Sequence, residues 1–119
     1  MTLKECYEAM GGDYADVTAR LPSEKFIQKF VLKFLDDGSY ELLLTSLEAG
    51  NGEEAFRAAH TITGMCQNLG FARLGKSSSA LTELLRAGMD GDYTALLEQV
   101  RQDYRLTCDT IQKFKEGLA

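Results

Sequence analysis

The chain has one histidine and one proline among its 119 residues, and its three cysteines form no C-x-x-C pair. With one histidine and scattered cysteines, no set of sequence neighbours could hold a metal ion, so we expect neither a metal site nor a cofactor. An odd number of widely separated cysteines also argues against a disulfide framework. Cys66 and Cys108 fall on apolar stripes, where buried free thiols are expected.

Long hydrophobic runs are also lacking: none approaches the roughly eighteen continuous apolar residues that a membrane span needs. The N-terminal sequence MTLKECYEAMGGDYAD has no signal-peptide pattern, so we expect a cytoplasmic protein. The net charge is −5 and the basic residues are dispersed, which argues against nucleic-acid binding. A chain of 119 residues that is 45% apolar predicts one domain over 1–119, and we expect a monomer.

Every long segment repeats its apolar residues with helical spacing, and none alternates as a strand does. The spacing predicts short helices over 3–10 and 13–20. Longer helices are predicted to begin near 23, 39, 52, 72 and 93, with caps at Ser23 and Asp92. Short loops favour antiparallel neighbours, so we predict an all-α fold: an antiparallel up-down four-helix bundle with short N-terminal helices. The predicted inner faces include Phe26, Phe30, Leu35 and Leu44.

The single histidine, His60, lies in FRAAHTITGMCQNLGF, a segment otherwise typical of a buried helix. One inner stripe follows spacings of four, three, four and three residues, and its members are Ala55, Ala59, Ile62, Cys66 and Leu69. At about 100° per residue, His60 projects roughly 140° from the centre of that stripe. We therefore predict that His60 is exposed.

Gly64 projects roughly 180° from the same stripe. A glycine inside a helix costs about 1 kcal/mol relative to alanine, so its presence needs a reason. One turn from an exposed histidine, it leaves room for another protein to approach the imidazole. Arg57 and Gln67 share this outer side, and Thr63 lies at its edge. The alternative interpretation, that His60 is ordinary solvated surface, stays open on geometry alone.

The segment AHTITGMCQNLGFARLGKSSSALTELLR resembles the histidine-containing phosphotransfer (HPt) domains of multistep two-component phosphorelays. Their signature is a helix with histidine, two residues, lysine and glycine; a further glycine closes that helix and a leucine-bearing helix returns. The matching residues are Ala59, His60, Gly64, Asn68, Leu69, Gly70, Leu74, Ala80, Leu81 and Leu84. The resemblance is specific over 53–88 and implies a four-helix bundle.

The resemblance also implies a function. His60 would accept a phosphoryl group from an aspartate of a receiver domain, in a response regulator or a hybrid histidine kinase, and give it back. Such a domain is a carrier and not an enzyme. The receiver supplies the magnesium and the acidic pocket, and the exposed imidazole supplies the nucleophile.

One residue departs from the signature, because Thr63 stands where the family has its lysine. A lysine would pair with the phosphoryl oxygens, whereas a threonine hydroxyl brings no charge. Arg57, one turn before His60, and Arg86, on the returning helix, are our candidates for the missing cation.

Folding the two helices about a turn near Phe71 predicts further polar neighbours for the site. Thr82 is expected opposite His60, with Ser78 and Ser79 opposite Gly64 and Thr63. Gln67 is a further candidate for hydrogen bonding to the phosphoryl group.

Two other functions stay open. A degenerate HPt-like adaptor would bind a receiver or kinase without carrying phosphate. A structural or dimerising bundle, with an incidental histidine, would show a large exposed apolar patch, for which the helix of Phe26, Phe30 and Phe34 is the first candidate. A hydrolase is the weakest hypothesis, since the sequence shows no set of nucleophile, base and orienting group.

Overall fold

The computed structural model describes residues 1–118, and in that range it contains seven α-helices and no strand. The helices are α1 (Leu3–Ala9), α2 (Tyr14–Arg20), α3 (Glu24–Phe34), α4 (Ser39–Glu48), α5 (Gly52–Leu69), α6 (Ala72–Arg86) and α7 (Thr94–Glu116). The all-α fold class predicted from the apolar spacing is confirmed. None of the helices in this range is both long and apolar enough to cross a membrane.

Side-chain caps fix where several helices begin. Asp13 and Ser23 each accept a hydrogen bond from the backbone N–H three residues later, at 3.0 and 3.1 Å, as an N-cap residue does. The carboxylate of Asp92 accepts a hydrogen bond from the N–H of Thr94 at 3.0 Å. We predicted Asp92 as the N-cap residue of α7. The helix begins at Thr94 and its N-cap position is Tyr93, so Asp92 stabilises this end from one residue before the N-cap.

The core forms around α5, which packs mainly against α4 on one side and α6 on the other, while α7 packs against α6. The five residues of the predicted inner stripe of α5 are each at most 5% exposed. On the far side of the core, α4 meets α7 through the rings of Tyr40 and Tyr104, which stack with centroids 4.0 Å apart. The helices α4 to α7 therefore surround one apolar core.

The cysteines do not pair, and two of the three are fully enclosed. Cys6 and Cys66 are buried free thiols, and burial raises their pKa to about 11 and about 12. A thiol with so high a pKa stays protonated at neutral pH and behaves as a small apolar side chain. Cys108, which we predicted to be buried, is only partly so.

The short N-terminal helices hold the carboxyl end of α5. A helix leaves its last carbonyl groups without partners in the helix, and here α1, α2 and their connection supply the donors. The bonds run from Tyr7 Oη to Leu69 O (2.6 Å), from Asp13 N to Gly70 O (2.8 Å), and from Arg20 Nη2 to Gln67 O (3.0 Å) and Asn68 O (3.1 Å). Asp16 in turn forms an ion pair with Arg20. The Arg20 guanidinium lowers the pKa of the Asp16 carboxyl.

Four further predictions of burial were wrong or only partly right. Phe26 is 39% exposed, and Phe30, Leu35 and Leu44 are half-buried. For the residues of α3, the physical reason is that this helix makes few contacts with the helices beside it, so only a narrow stripe of it is covered. That stripe consists of Ile27, Val31 and Phe34.

Candidate functional site

His60 lies in the middle of α5 and is exposed, as predicted. Its ring meets the edge of the Phe56 ring, with centroids 5.8 Å apart and an angle of 71° between the planes. Phe56 was not among the residues predicted from the sequence, although a spacing of four residues on one helix predicts such a contact. Phe56 thus contacts the imidazole, while His60 stays exposed to solvent.

Gly64 lies one turn after His60, and it is exposed as predicted. A Cβ placed on Gly64 would meet no atom within 4 Å, so packing does not require a glycine there. Its backbone is also helical, with no positive φ that would favour glycine. What Gly64 provides is open space beside the imidazole.

The imidazole borders a shallow depression of about 140 Å³ between α5 and α6. The depression is lined by His60, Thr63, Gly64 and Gln67 of α5 and by Ser79, Thr82, Glu83 and Arg86 of α6. Six of the seven neighbours predicted for His60 therefore meet at one place, and the exception is Arg57. Glu83 is an addition that the sequence analysis missed. Its position three residues before Arg86 could have predicted it, because opposite charges at this spacing pair on a helix.

Thr63 is buried, at 8% exposure, and not at the edge of the solvent face as predicted. Its hydroxyl lies 3.0 Å from Ala59 O, 3.1 Å from Ser78 Oγ and 3.3 Å from Thr82 Oγ1. Thr82, which was predicted opposite His60, thus lies within hydrogen-bond distance of Thr63 and lines the same depression as His60. The helices can approach this closely because Gly75 of α6 lies against Cys66, where a Cβ on Gly75 would be 3.2 Å from the Cys66 Cβ.

The two arginine candidates for the missing cation differ in position. Arg57 pairs with Glu53 at 3.0 Å and does not line the depression. Arg86 does line it, and its guanidinium carbon lies 4.9 Å from the centroid of the Phe56 ring that contacts His60. The structure therefore brings Arg86, and not Arg57, to the depression that His60 borders.

Arg86 is held by Glu83, which accepts hydrogen bonds from Arg86 Nε at 3.1 Å and from Nη2 at 3.2 Å. This guanidinium, and to a smaller degree the nearby His60, lowers the pKa of the Glu83 carboxyl. The exposed cluster thus combines one imidazole with a guanidinium that donates hydrogen bonds from two of its nitrogens to a carboxylate. Such a fork suits phosphate oxygens as well as it suits a carboxylate.

No group of three or more histidine, cysteine, aspartate or glutamate side chains in residues 1–118 is arranged to hold a metal ion.

Comparison with known proteins assigns the chain to a family. The model of the Hpt domain matches residues 33–112, more than half of the chain, and this range includes α4, α5 and α6 entirely. No curated protein and no solved structure gives a significant match. Hpt domains take part in phosphotransfer in the phosphorelays of two-component signalling, where they interact with receiver domains. With residues 33–112 matched, the chain belongs to the Hpt domain family.

Proposed function

We propose that the chain is a phosphocarrier in which His60 accepts a phosphoryl group from a receiver-domain aspartate and donates it to another. The observation that carries this proposal is the position of the chain's one histidine. His60 is exposed in the middle of α5, inside the range matched by the family, and beside the open space at Gly64. A partner can reach the imidazole without any rearrangement of the core.

We further propose that α4 to α7 form an antiparallel up-down four-helix bundle, to which α1, α2 and α3 are added. Successive helices in this set pack against each other, and α4 reaches α7 through the Tyr40 and Tyr104 rings. The connections between them are short: α5 and α6, for example, are separated by only Gly70 and Phe71.

In the proposed reaction, the lone pair of the unprotonated ring nitrogen of His60 attacks the phosphorus of an aspartyl phosphate in the receiver. A P–N bond forms while the P–O bond to the aspartate breaks, and the aspartate leaves as a carboxylate with the electron pair of that bond. The reverse step returns the phosphoryl group to a receiver. Each transfer leaves the chain ready for the opposite one, as expected of a carrier.

Arg86 is the proposed replacement for the family's lysine. A phosphorylated imidazole carries close to two negative charges, and a cation beside it stabilises them. Arg86 can turn its guanidinium from Glu83 to the phosphoryl oxygens, since both residues line the depression beside His60. The amide of Gln67 and the hydroxyl of Ser79 line the same depression and are proposed to hydrogen-bond the phosphoryl group.

The direct test is transfer of radiolabel from a purified, phosphorylated receiver domain to the chain. We expect the parent to acquire label and His60→Gln to acquire none, because glutamine has no nucleophilic ring nitrogen. His60 is exposed, so circular dichroism should show the same helical content in both proteins. Label on His60→Gln would contradict the proposal, and binding of the receiver without label on the parent would favour the adaptor alternative.

Gly64 is predicted to matter for access and not for stability. Gly64→Ala should keep or raise the free energy of unfolding by about 0.5–1 kcal/mol, since alanine is the better helix former and its Cβ meets no other atom. Gly64→Gln should slow transfer from a receiver, because its side chain fills the space beside the imidazole. Transfer to Gly64→Gln at the parental rate would show that this space has no role.

Arg86 and Arg57 provide a matched pair of variants. Arg86→Ala should shift the transfer equilibrium away from this chain by about two- to fivefold at low salt, the range expected for an exposed ion pair. Arg57→Ala should leave the equilibrium unchanged, and Glu83→Gln, which frees Arg86, should shift it towards this chain. The effects should shrink at high salt. Equal equilibrium constants for the parent and Arg86→Ala would mean that His60 needs no cation from α6.

A further inference from the structure

The ring of Phe56 contacts both of the side chains to which the proposed function gives the phosphoryl group. On its own helix, the ring meets the imidazole of His60, with centroids 5.8 Å apart and an angle of 71° between the planes. Across the contact between α5 and α6, the guanidinium carbon of Arg86 lies over the same ring, 4.9 Å from its centre. Phe56 therefore connects the nucleophile to the cation.

Phe56 is itself well anchored. Its side chain is half-buried and packs against the core. The preceding residue, Ala55, is fully buried in the inner face of α5. Because burial of that face fixes the rotation of the helix about its axis, it also fixes the direction in which the Phe56 side chain projects. A phenyl ring has only two rotatable side-chain bonds, so it keeps its position at a small entropic cost.

Arg86 has no such anchor in its own helix. It is the last residue of α6, and helix ends fray. Its side chain is 54% exposed, and arginine is among the residues with the greatest rotamer freedom. A contact with another helix is therefore needed to keep the guanidinium beside the depression that His60 borders.

Glu83 cannot keep Arg86 in place during the reaction. It belongs to α6, and it accepts hydrogen bonds from Arg86 Nε and Nη2 at 3.1 and 3.2 Å. These bonds have to break when the same nitrogens donate to phosphoryl oxygens. A contact with the face of an aromatic ring leaves the N–H groups of a guanidinium free to donate. Phe56 can thus retain Arg86 both before and after the phosphoryl group arrives.

We infer that Phe56 is a positioning residue for the phosphoryl group, because it holds the Arg86 guanidinium beside His60; this inference rests on the proposed function. A phenyl ring has no net charge and no hydrogen-bond donor, so it does not stabilise the phosphoryl oxygens itself. Its contribution passes through Arg86, and it should disappear when Arg86 is removed.

The test measures the pKa of the phosphorylated side chain, read from the ³¹P chemical shift of the chain labelled with phosphoramidate, a small phosphoryl donor. The charged residues that line the depression with His60 are Glu83 and Arg86. A cation beside the phosphoryl group disfavours uptake of a proton, so Arg86 lowers this pKa and its loss raises it. No receiver is present, so binding of a partner does not contribute.

We expect Arg86→Ala to raise this pKa. Phe56→Leu should raise it by about 0.3–0.7 pH units, which is about two- to fivefold in proton affinity and the range for an exposed cation–π contact. The variant with both changes should match Arg86→Ala, because a residue that acts through another has no effect in its absence. Phe56→Tyr keeps the aromatic face and should restore the parental pKa. The matched control is Met65→Leu, a change at a half-buried residue of α5 outside the depression, which should behave as the parent.

The outcomes separate this inference from the proposed function. Failure of phosphoramidate to label the parent would overturn the proposed function itself. A labelled parent, with a raised pKa for Arg86→Ala and the parental pKa for Phe56→Leu, would overturn the positioning role alone. A higher pKa in the double variant than in Arg86→Ala would also overturn it, because the ring would then act without the guanidinium. Circular dichroism should show equal helical content in the parent and Phe56→Leu; if it does not, Phe56→Met takes its place in the same comparison.

Discussion

Burial of one face of α5 is the constraint on which the rest of the site depends. A helix is rigid about its axis, so covering Ala55, Ala59, Ile62, Cys66 and Leu69 sets the direction of every other side chain on it. His60 and Gly64 then have to face solvent. The hydrogen bonds that α1, α2 and their connection supply to the last carbonyls of α5 hold the carboxyl end of this helix in place. The small N-terminal helices thus contribute to the position of the histidine from a distance.

Close packing of α5 on α6 supports the proposal that Arg86 of α6 replaces the family's lysine. The hydroxyl of Thr63 is enclosed by Ser78 and Thr82, so this position is part of the contact between the helices. A lysine there would have to leave these hydroxyls without their partner and carry its charge out to solvent. Arg86 reaches the same depression from α6, and the Phe56 ring supports its guanidinium.

The sequence predicted the parts of the site that depend on a single helix. The spacing of apolar residues gave the inner face of α5, and hence the exposure of His60 and Gly64. It could not predict the burial of Thr63 or the exposure of Phe26, because each depends on how closely a second helix approaches. The sequence also could not decide between Arg57 and Arg86, because each has an acidic residue one turn away on its own helix. Only the packing of α6 against α5 brings Arg86 to Phe56.

The most direct measurement of the central claim is nuclear magnetic resonance of the chain labelled with ¹⁵N in its histidine. Only one imidazole exists in the sequence, so the spectrum contains two ring nitrogens and no overlap. After treatment with phosphoramidate, we predict that one of these nitrogens shows a one-bond coupling to ³¹P, with the backbone spectrum of the folded chain preserved. Two unchanged ring nitrogens under conditions that phosphorylate free imidazole would contradict a phosphocarrier role for His60.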